Sequence, residues 1–148
     1  MPLSPYLEFE KNSSIALPAH FTQFISEHGE RVSKLLDLAE NEDNIFISRD
    51  TNWMIAANVE SRDSKSGSFY LPHVIVIGHD GAGNLIAISE NESDERVWVV
   101  DFDYINDYRN PETLTIDWNH EDLEVYSNLI LFVEEQIELL SDLDEDWD

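Results

Sequence analysis

The chain predicts an α+β fold of one domain, with a mainly antiparallel central sheet flanked by helices and a long helix at the C-terminus. Three observations carry that prediction. Two short apolar runs, Val74–Ile77 and Leu85–Ile88, flank a glycine-containing turn, and a third run spans Val97–Phe102. Helical apolar spacing brackets this centre on both sides. Length and composition suit one packed unit: 148 residues, 42% hydrophobic, with 4 Trp, 5 Tyr and 7 Phe.

Leu17-Pro18 opens the first clear helix, since proline is tolerated in the first turn. Leu17, Phe21, Phe24 and Ile25 fall on one face, and Gly29 is the expected left-handed stop. Val32, Leu35, Leu36 and Ala39 repeat a helical spacing, ended by the acidic run at 40–44. Ile45–Ile47 fits a short strand. Asp50 or Thr51 fits the cap of a helix through Trp53 to about Val59. Residues 61–68 read as a loop. The interval from Gly78 to Asn84 holds three glycines that suit a tight antiparallel hairpin. Consecutive apolar residues in the strands imply that both sheet faces are covered. Leu114, Ile116 and Trp118 alternate with polar residues, which fits a strand or a lead-in to the last helix. Leu123, Tyr126, Ile130, Val133, Ile137 and Leu140 make one helical seam, with Asn119 as its cap. The domain spans residues 1–148, with 1–13 and 142–148 expected as frayed ends.

Charge excludes more than it selects. Eight Lys and Arg face 32 Asp and Glu, a formal net charge of −24. No Lys or Arg follows Arg109, while 13 acids do. Nucleic acid and anionic membranes would be repelled, because both are recognised through Lys and Arg. A cationic protein partner is favoured. The chain has no cysteine, so disulfides and thiol chemistry are absent. No apolar run spans a membrane, and no basic segment followed by an apolar stretch marks a signal peptide. A cytoplasmic location is expected.

No catalytic constellation emerges, and neither enzyme activity nor a cofactor or metal is expected. The turn at Gly78–Asn84 lacks the GK[ST] of a phosphate loop and has too few carboxylates for calcium. His73 and His79 lack a third zinc ligand at a recognisable spacing. No serine sits in a G-x-S-x-G elbow. Carboxylates are so abundant that any pair imitates an acid–base dyad.

Two acidic groups are candidate protein-binding surfaces. One contains Glu90, Glu92, Asp94 and Glu95, followed by Asp101, Asp103, Tyr104 and Asp107 with Phe102 and Tyr108 among them. Aromatics among charges are the usual make-up of a binding patch; the plain alternative turns Phe102 and Tyr104 into the core. The other is a stripe on the last helix, including Glu121, Glu124, Asn128, Glu135, Glu138 and Asp142. Acids near a helix C-terminus oppose its dipole, so the stripe does not support the helix. Its plain alternative is a solvated face.

The chain resembles the SUKH superfamily, bacterial toxin-immunity proteins related to a yeast cell-wall-assembly regulator. The resemblance rests on Leu17-Pro18 with Phe21, Phe24-Ile25 and Gly29; on Leu71-Pro72 leading through Val76-Ile77-Gly78-His79-Asp80-Gly81-Ala82-Gly83-Asn84 to Leu85-Ile86; and on Arg96-Val97-Trp98-Val99 with Asp101. His28-Gly29 departs from the family's usual "N-G", and the DLDEDWD end has no counterpart. The resemblance implies an α+β fold and neutralisation of a cognate polymorphic toxin. The acidity then suggests a basic nuclease as that toxin. A regulatory or scaffold protein of the same fold is the alternative.

Overall fold

The computed structural model describes residues 3–39 and 45–145. Four helices and a four-stranded sheet form it: α1 (Ser4–Ser13), α2 (Ala19–Ala39), α3 (Thr51–Arg62), β1 (Val74–His79), β2 (Leu85–Ser89), β3 (Val97–Val100), β4 (Glu124–Tyr126) and α4 (Leu129–Glu145). All pairings are antiparallel, in the order β1-β2-β3-β4. The fold is the α+β single domain that the sequence predicts.

Alternation along the strands separates two cores. Ile75, Ile77, Ile86, Ile88, Val97 and Val99 point to one face, where they meet α1, α2 and α4. Val74, Val76, Ala87, Trp98 and Val100 point to the other, where Leu71, Ile105, Tyr108, Ile116 and Leu123 cover them. Both faces of the hairpin are therefore buried, as the consecutive apolar runs require.

Two contacts close the outer edge of β1. The Ile45 and His79 backbones exchange hydrogen bonds, and the Ser48 N–H donates to Ile77 O at 2.7 Å. Asn58, fully buried on α3, supplies the next partner: its Nδ2 donates to Val76 O at 2.9 Å and its Oδ1 accepts from Val76 N–H at 2.8 Å. A side-chain amide here replaces a neighbouring strand. Close approach of the 45–46 backbone also explains Gly78, because a Cβ there would lie 2.1 Å from Phe46 O. Of the three turn glycines, Gly83 has the positive φ (89°). Asp80 shapes the rest, accepting from Ala82 N–H and Asn84 N–H at 2.9 Å each.

Several expectations are corrected. Gly29 does not end a helix: α2 continues to Ala39 and bends at His28 (φ −122°). Its apolar stripe runs through the bend, and burial of Val32, Leu35 and Leu36 outweighs the ~1 kcal/mol that glycine costs in a helix. The acidic run at 40–44 lies outside the described residues. Residues 4–13 are not frayed; they form α1, held by fully buried Tyr6 and Phe9. The Tyr6 hydroxyl donates to Ser48 O at 3.0 Å, and burial pushes its pKa up. Ile45–Ile47 forms a single bridge to His79 rather than a strand. Asp50 does cap α3, accepting from Trp53 N–H, and α3 reaches Arg62. Ser64–Phe69 is a 3-10 turn, clamped by Arg109, whose guanidinium donates to Gly67 O and Tyr70 O. Leu114–Trp118 provides only an Arg109–Ile116 bridge.

The largest correction concerns the last helix. Glu124–Tyr126 is a strand, and Asn128, not Asn119, is the cap: its Oδ1 accepts from Leu131 N–H at 2.9 Å. The helical seam through Leu123 and Tyr126 was a coincidence of spacing. Val97–Val99 offer backbone groups that need a partner, and Glu124–Tyr126 satisfy them. The seam of α4 is Leu129, Phe132, Val133, Ile137 and Leu140, while Ile130 is 44% exposed. The helix extends to Glu145; Asp146–Asp148, including Trp147, lie outside the described residues.

Asn58→Ala is expected to cost about 2–3 kcal/mol, because it strands buried Val76 groups. Gly78→Ala is expected to cost at least as much through its backbone clash, whereas Gly83→Ala costs about 1 kcal/mol of strain. Urea unfolding of the three variants checks this order.

Candidate functional site

Strand register gathers acids at one end of the sheet. Val99 pairs with Glu124 and Leu85 with Val100, so the exit of β3, the entry of β4 and the start of β2 lie side by side. Between them is a groove of about 430 Å³, lined by Asn84, Val99, Asp101, Tyr104, Asp107, Tyr108, Asp122 and Glu124. Four carboxylates line it, with no Lys or Arg.

Local structure explains each position. Asp101 follows β3 directly; its Oδ1 accepts from Asp103 N–H at 3.0 Å and its carbonyl accepts from Tyr104 N–H. This turn feeds a 3-10 segment, Ile105–Asp107, anchored by buried Ile105. Tyr108 is buried, and its hydroxyl donates to Asp101 O at 3.2 Å. Tyr104 points out and is 62% exposed. The turn before β4 is held by Leu123 in the second core and by an Asp122 N–H bond to His120 Nδ1 at 3.1 Å. Glu124 then starts β4. Burial, together with the charges of Glu135 and Asp80, holds its carboxyl above the usual carboxylate range, although it accepts a hydrogen bond from Tyr126. The Tyr126 hydroxyl is itself pushed up to about 12, first by burial and then by Glu124 and Glu135.

The acids proposed from sequence therefore divide. Asp101, Tyr104, Asp107 and Glu124 share the groove, and exposed Asp103 sits in its bordering turn. Glu90, Glu92, Asp94 and Glu95 lie at the opposite end of the sheet, between β2 and β3. Two of those are locally compensated. Glu90 pairs with Arg62 at 3.3 Å, and Asp94 accepts from Arg96 Nε and Nη2 at 2.9 and 2.8 Å. The bonds from Arg96 hold the Asp94 carboxyl below its ordinary range. Glu92 is exposed in the turn, and Glu95 lines a small cavity with His20, Glu27 and His28. Glu135 and Glu138 face a third region beside β4, with Glu134, which pairs with Arg31 of α2. The acidic stripe is thus not one helix face: Glu121 lies in a turn, Glu124 in a strand and Asn128 at the cap.

Phe102 is half-buried against Phe69, with ring centroids 5.1 Å apart. Tyr104 is not turned into the core. Sequence reasoning missed Asp122, and it named Tyr108 only as surface aromatic. No local pattern distinguishes Asp122 from its acidic neighbours; only the β3–β4 register brings it opposite Asp101. Among the described residues, no group of three or more His, Asp or Glu is arranged to hold a metal ion. No described helix is long and apolar enough to cross a membrane.

Residues 7–135 match the model of the SMI1 / KNR4 family (SUKH-1). The chain belongs to that family. Neither the curated proteins nor the solved structures give a match. The SUKH-1 match spans every element from α1 into α4, including the groove residues Asn84 to Glu124.

Opposite pH responses are expected at the two ends of the sheet. Glu124 has a raised folded pKa, so its ionised form costs stability above that pKa and the cost vanishes as pH falls through it. Glu124→Gln should raise the melting temperature at pH 7 and leave it unchanged at acid pH. Asp94 has a lowered folded pKa, so its contribution is present above the ordinary carboxylate range and lost as pH falls through the folded value. Asp94→Asn should cost roughly 0.5–1 kcal/mol at pH 7, since the pair is partly exposed, and nothing at strongly acid pH. Thermal melts across pH 2.5–7 test both signs (about 2.5 as the acid limit, below ordinary carboxylate pKa values).

Proposed function

We propose that this SUKH-1 chain is an immunity protein that binds and neutralises a cognate toxin domain, a basic nuclease, acting as a binding protein and not as a catalyst. The observation that carries this reading is the groove at the end of the sheet, with four carboxylates, exposed Tyr104 and no basic lining residue. Its carboxylates take the place of nucleic-acid phosphates on the cationic substrate surface of the toxin. Family membership supports a toxin partner, and the charge supports the sign of that partner's surface. A net charge of −24 gives long-range attraction, which raises the rate of encounter. Tyr104 supplies the aromatic contact that slows release, since aromatic anchors dominate interface energies.

The chain acts in the cytoplasm, where a delivered nuclease meets its substrate. The alternative is a regulatory or scaffold protein of the same fold without a toxin. A toxin gene beside this one, whose product the chain neutralises, separates the two. The test is growth of cells expressing that toxin with and without the chain. Rescue is expected; failure to rescue from any neighbouring toxin sinks the reading.

Two finer outcomes follow for the purified pair. The triple variant Asp101→Asn, Asp107→Asn, Asp122→Asn should slow association at least tenfold at low salt, with dissociation changed less. Asn retains the Oδ1 that accepts from Asp103 N–H, so the turn is preserved. Tyr104→Ala should mainly speed dissociation. Surface plasmon resonance at several salt concentrations reads both rates, and a salt-independent association rate rejects phosphate mimicry.

A further inference from the structure

We propose that the outer edge of β4 receives an extended, cationic segment of the partner protein as an added fifth strand. The two edges of the sheet are treated differently. The β1 edge is closed by the 45–48 backbone and by Asn58. At the other edge, β4 pairs with β3 alone, and no described strand lies beyond it. An open strand edge is a template for a further strand.

What lies beside that edge suits a side-chain-bearing strand. An open groove of about 670 Å³ runs between β4, α4 and Arg31 of α2. Two exposed apolar residues line it, Val125 at 47% and Leu131 at 52% exposure. Its rim is acidic, with Glu135 and Glu138, and Glu124 stands on the strand itself. The one cation in the lining, Arg31, is already held by Glu134 through two hydrogen bonds. Val125 lies on the sheet face of its partner Trp98, and Glu124 lies on the α4 face of its partner Val99, so an alternating segment can lay apolar side chains beside Val125 and cationic ones beside Glu124, Glu135 and Glu138.

Charge selects the occupant. A second copy of this chain would bring Glu124, Glu135 and Glu138 against their own equivalents, within two bodies of net charge −24 each. The same acids that admit a basic segment exclude self-pairing. The inference rests on the proposed function only for the identity of the partner as a toxin; the edge and its charge stand without it. It also differs from the groove of Asp101 and Asp122, which lies at the end of the sheet rather than along its side.

The probe is a six-residue peptide, Ac-Val-Lys-Val-Lys-Val-Lys-NH2 (about the usual strand length), titrated into the full ¹⁵N-labelled chain at low salt. Binding should slow amide exchange within Glu124–Tyr126. The same peptide with alternate backbone nitrogens methylated keeps its charge but loses strand-pairing donors, and it should bind at least tenfold more weakly. The exposed double variant Glu135→Lys, Glu138→Lys should weaken the unmodified peptide about tenfold (a loss converted as one decade per 1.4 kcal/mol). Equal binding of both peptides, protection confined to Asp101–Asp107, or no binding overturns the proposal. So does a free chain that sediments as a dimer with Glu124–Tyr126 protected. Rescue from a toxin together with a failed peptide titration rejects the edge and leaves immunity standing. Peptide pairing without rescue does the reverse.

Discussion

β1, β2 and β3 are apolar on both faces, and each face is covered by its own core. Such a sheet has no free face to offer a partner. Within the sheet, solvent reaches its ends and its edges, where backbone and polar side chains are exposed. The hydrogen bonds of Asn58 and of residues 45–48 remove one edge from that set. The remaining places are the two ends and the β4 edge, and all three carry acids.

Those acids are not equivalent. At the Glu90–Glu95 end, Arg62 and Arg96 neutralise part of the charge, and Arg96 also lies 4.8 Å from the Trp98 ring. At the opposite end no Lys or Arg lines the groove, and Arg109, next to Tyr108 in the chain, is buried and bonded to backbone carbonyls. Four carboxylates there are left facing one another across a groove. Glu124, one of the four, has its carboxyl pKa raised by burial and by the charges of Glu135 and Asp80 beyond the groove lining. Like-charge repulsion weakens the folded state, and a cationic ligand relieves it.

Much of the fold was legible where one pattern had one meaning. The β1–β2 hairpin, the Asp50 cap of α3 and the covering of both sheet faces follow from apolar runs and turn residues. The segment from 119 to 128 was misread because its apolar residues satisfy two periods at once. Leu123, Tyr126 and Ile130 fit a helix, while Leu123 and Val125 against Glu124 and Tyr126 fit a strand. The open edge of β3 and the Asn128 cap decide between them. Asn58 gave no signal either, since a buried amide in place of a strand is visible only when the strand edge is known. Of the groove, Asp101, Tyr104, Asp107 and Glu124 were named as candidates, and Asp122 was not.

The sequence by itself determined the α+β class, the SUKH likeness, the apolar centre and the sign of the chain's own charge. These depend on composition and short-range periodicity, which do not need long-range contacts. The tertiary structure decided which acids lie together. Residues 101 and 122 are 21 positions apart in the chain, and strand register alone sets them across one groove. It also decided which charges are compensated, because an ion pair such as Arg62 with Glu90 depends on distance in space rather than in sequence.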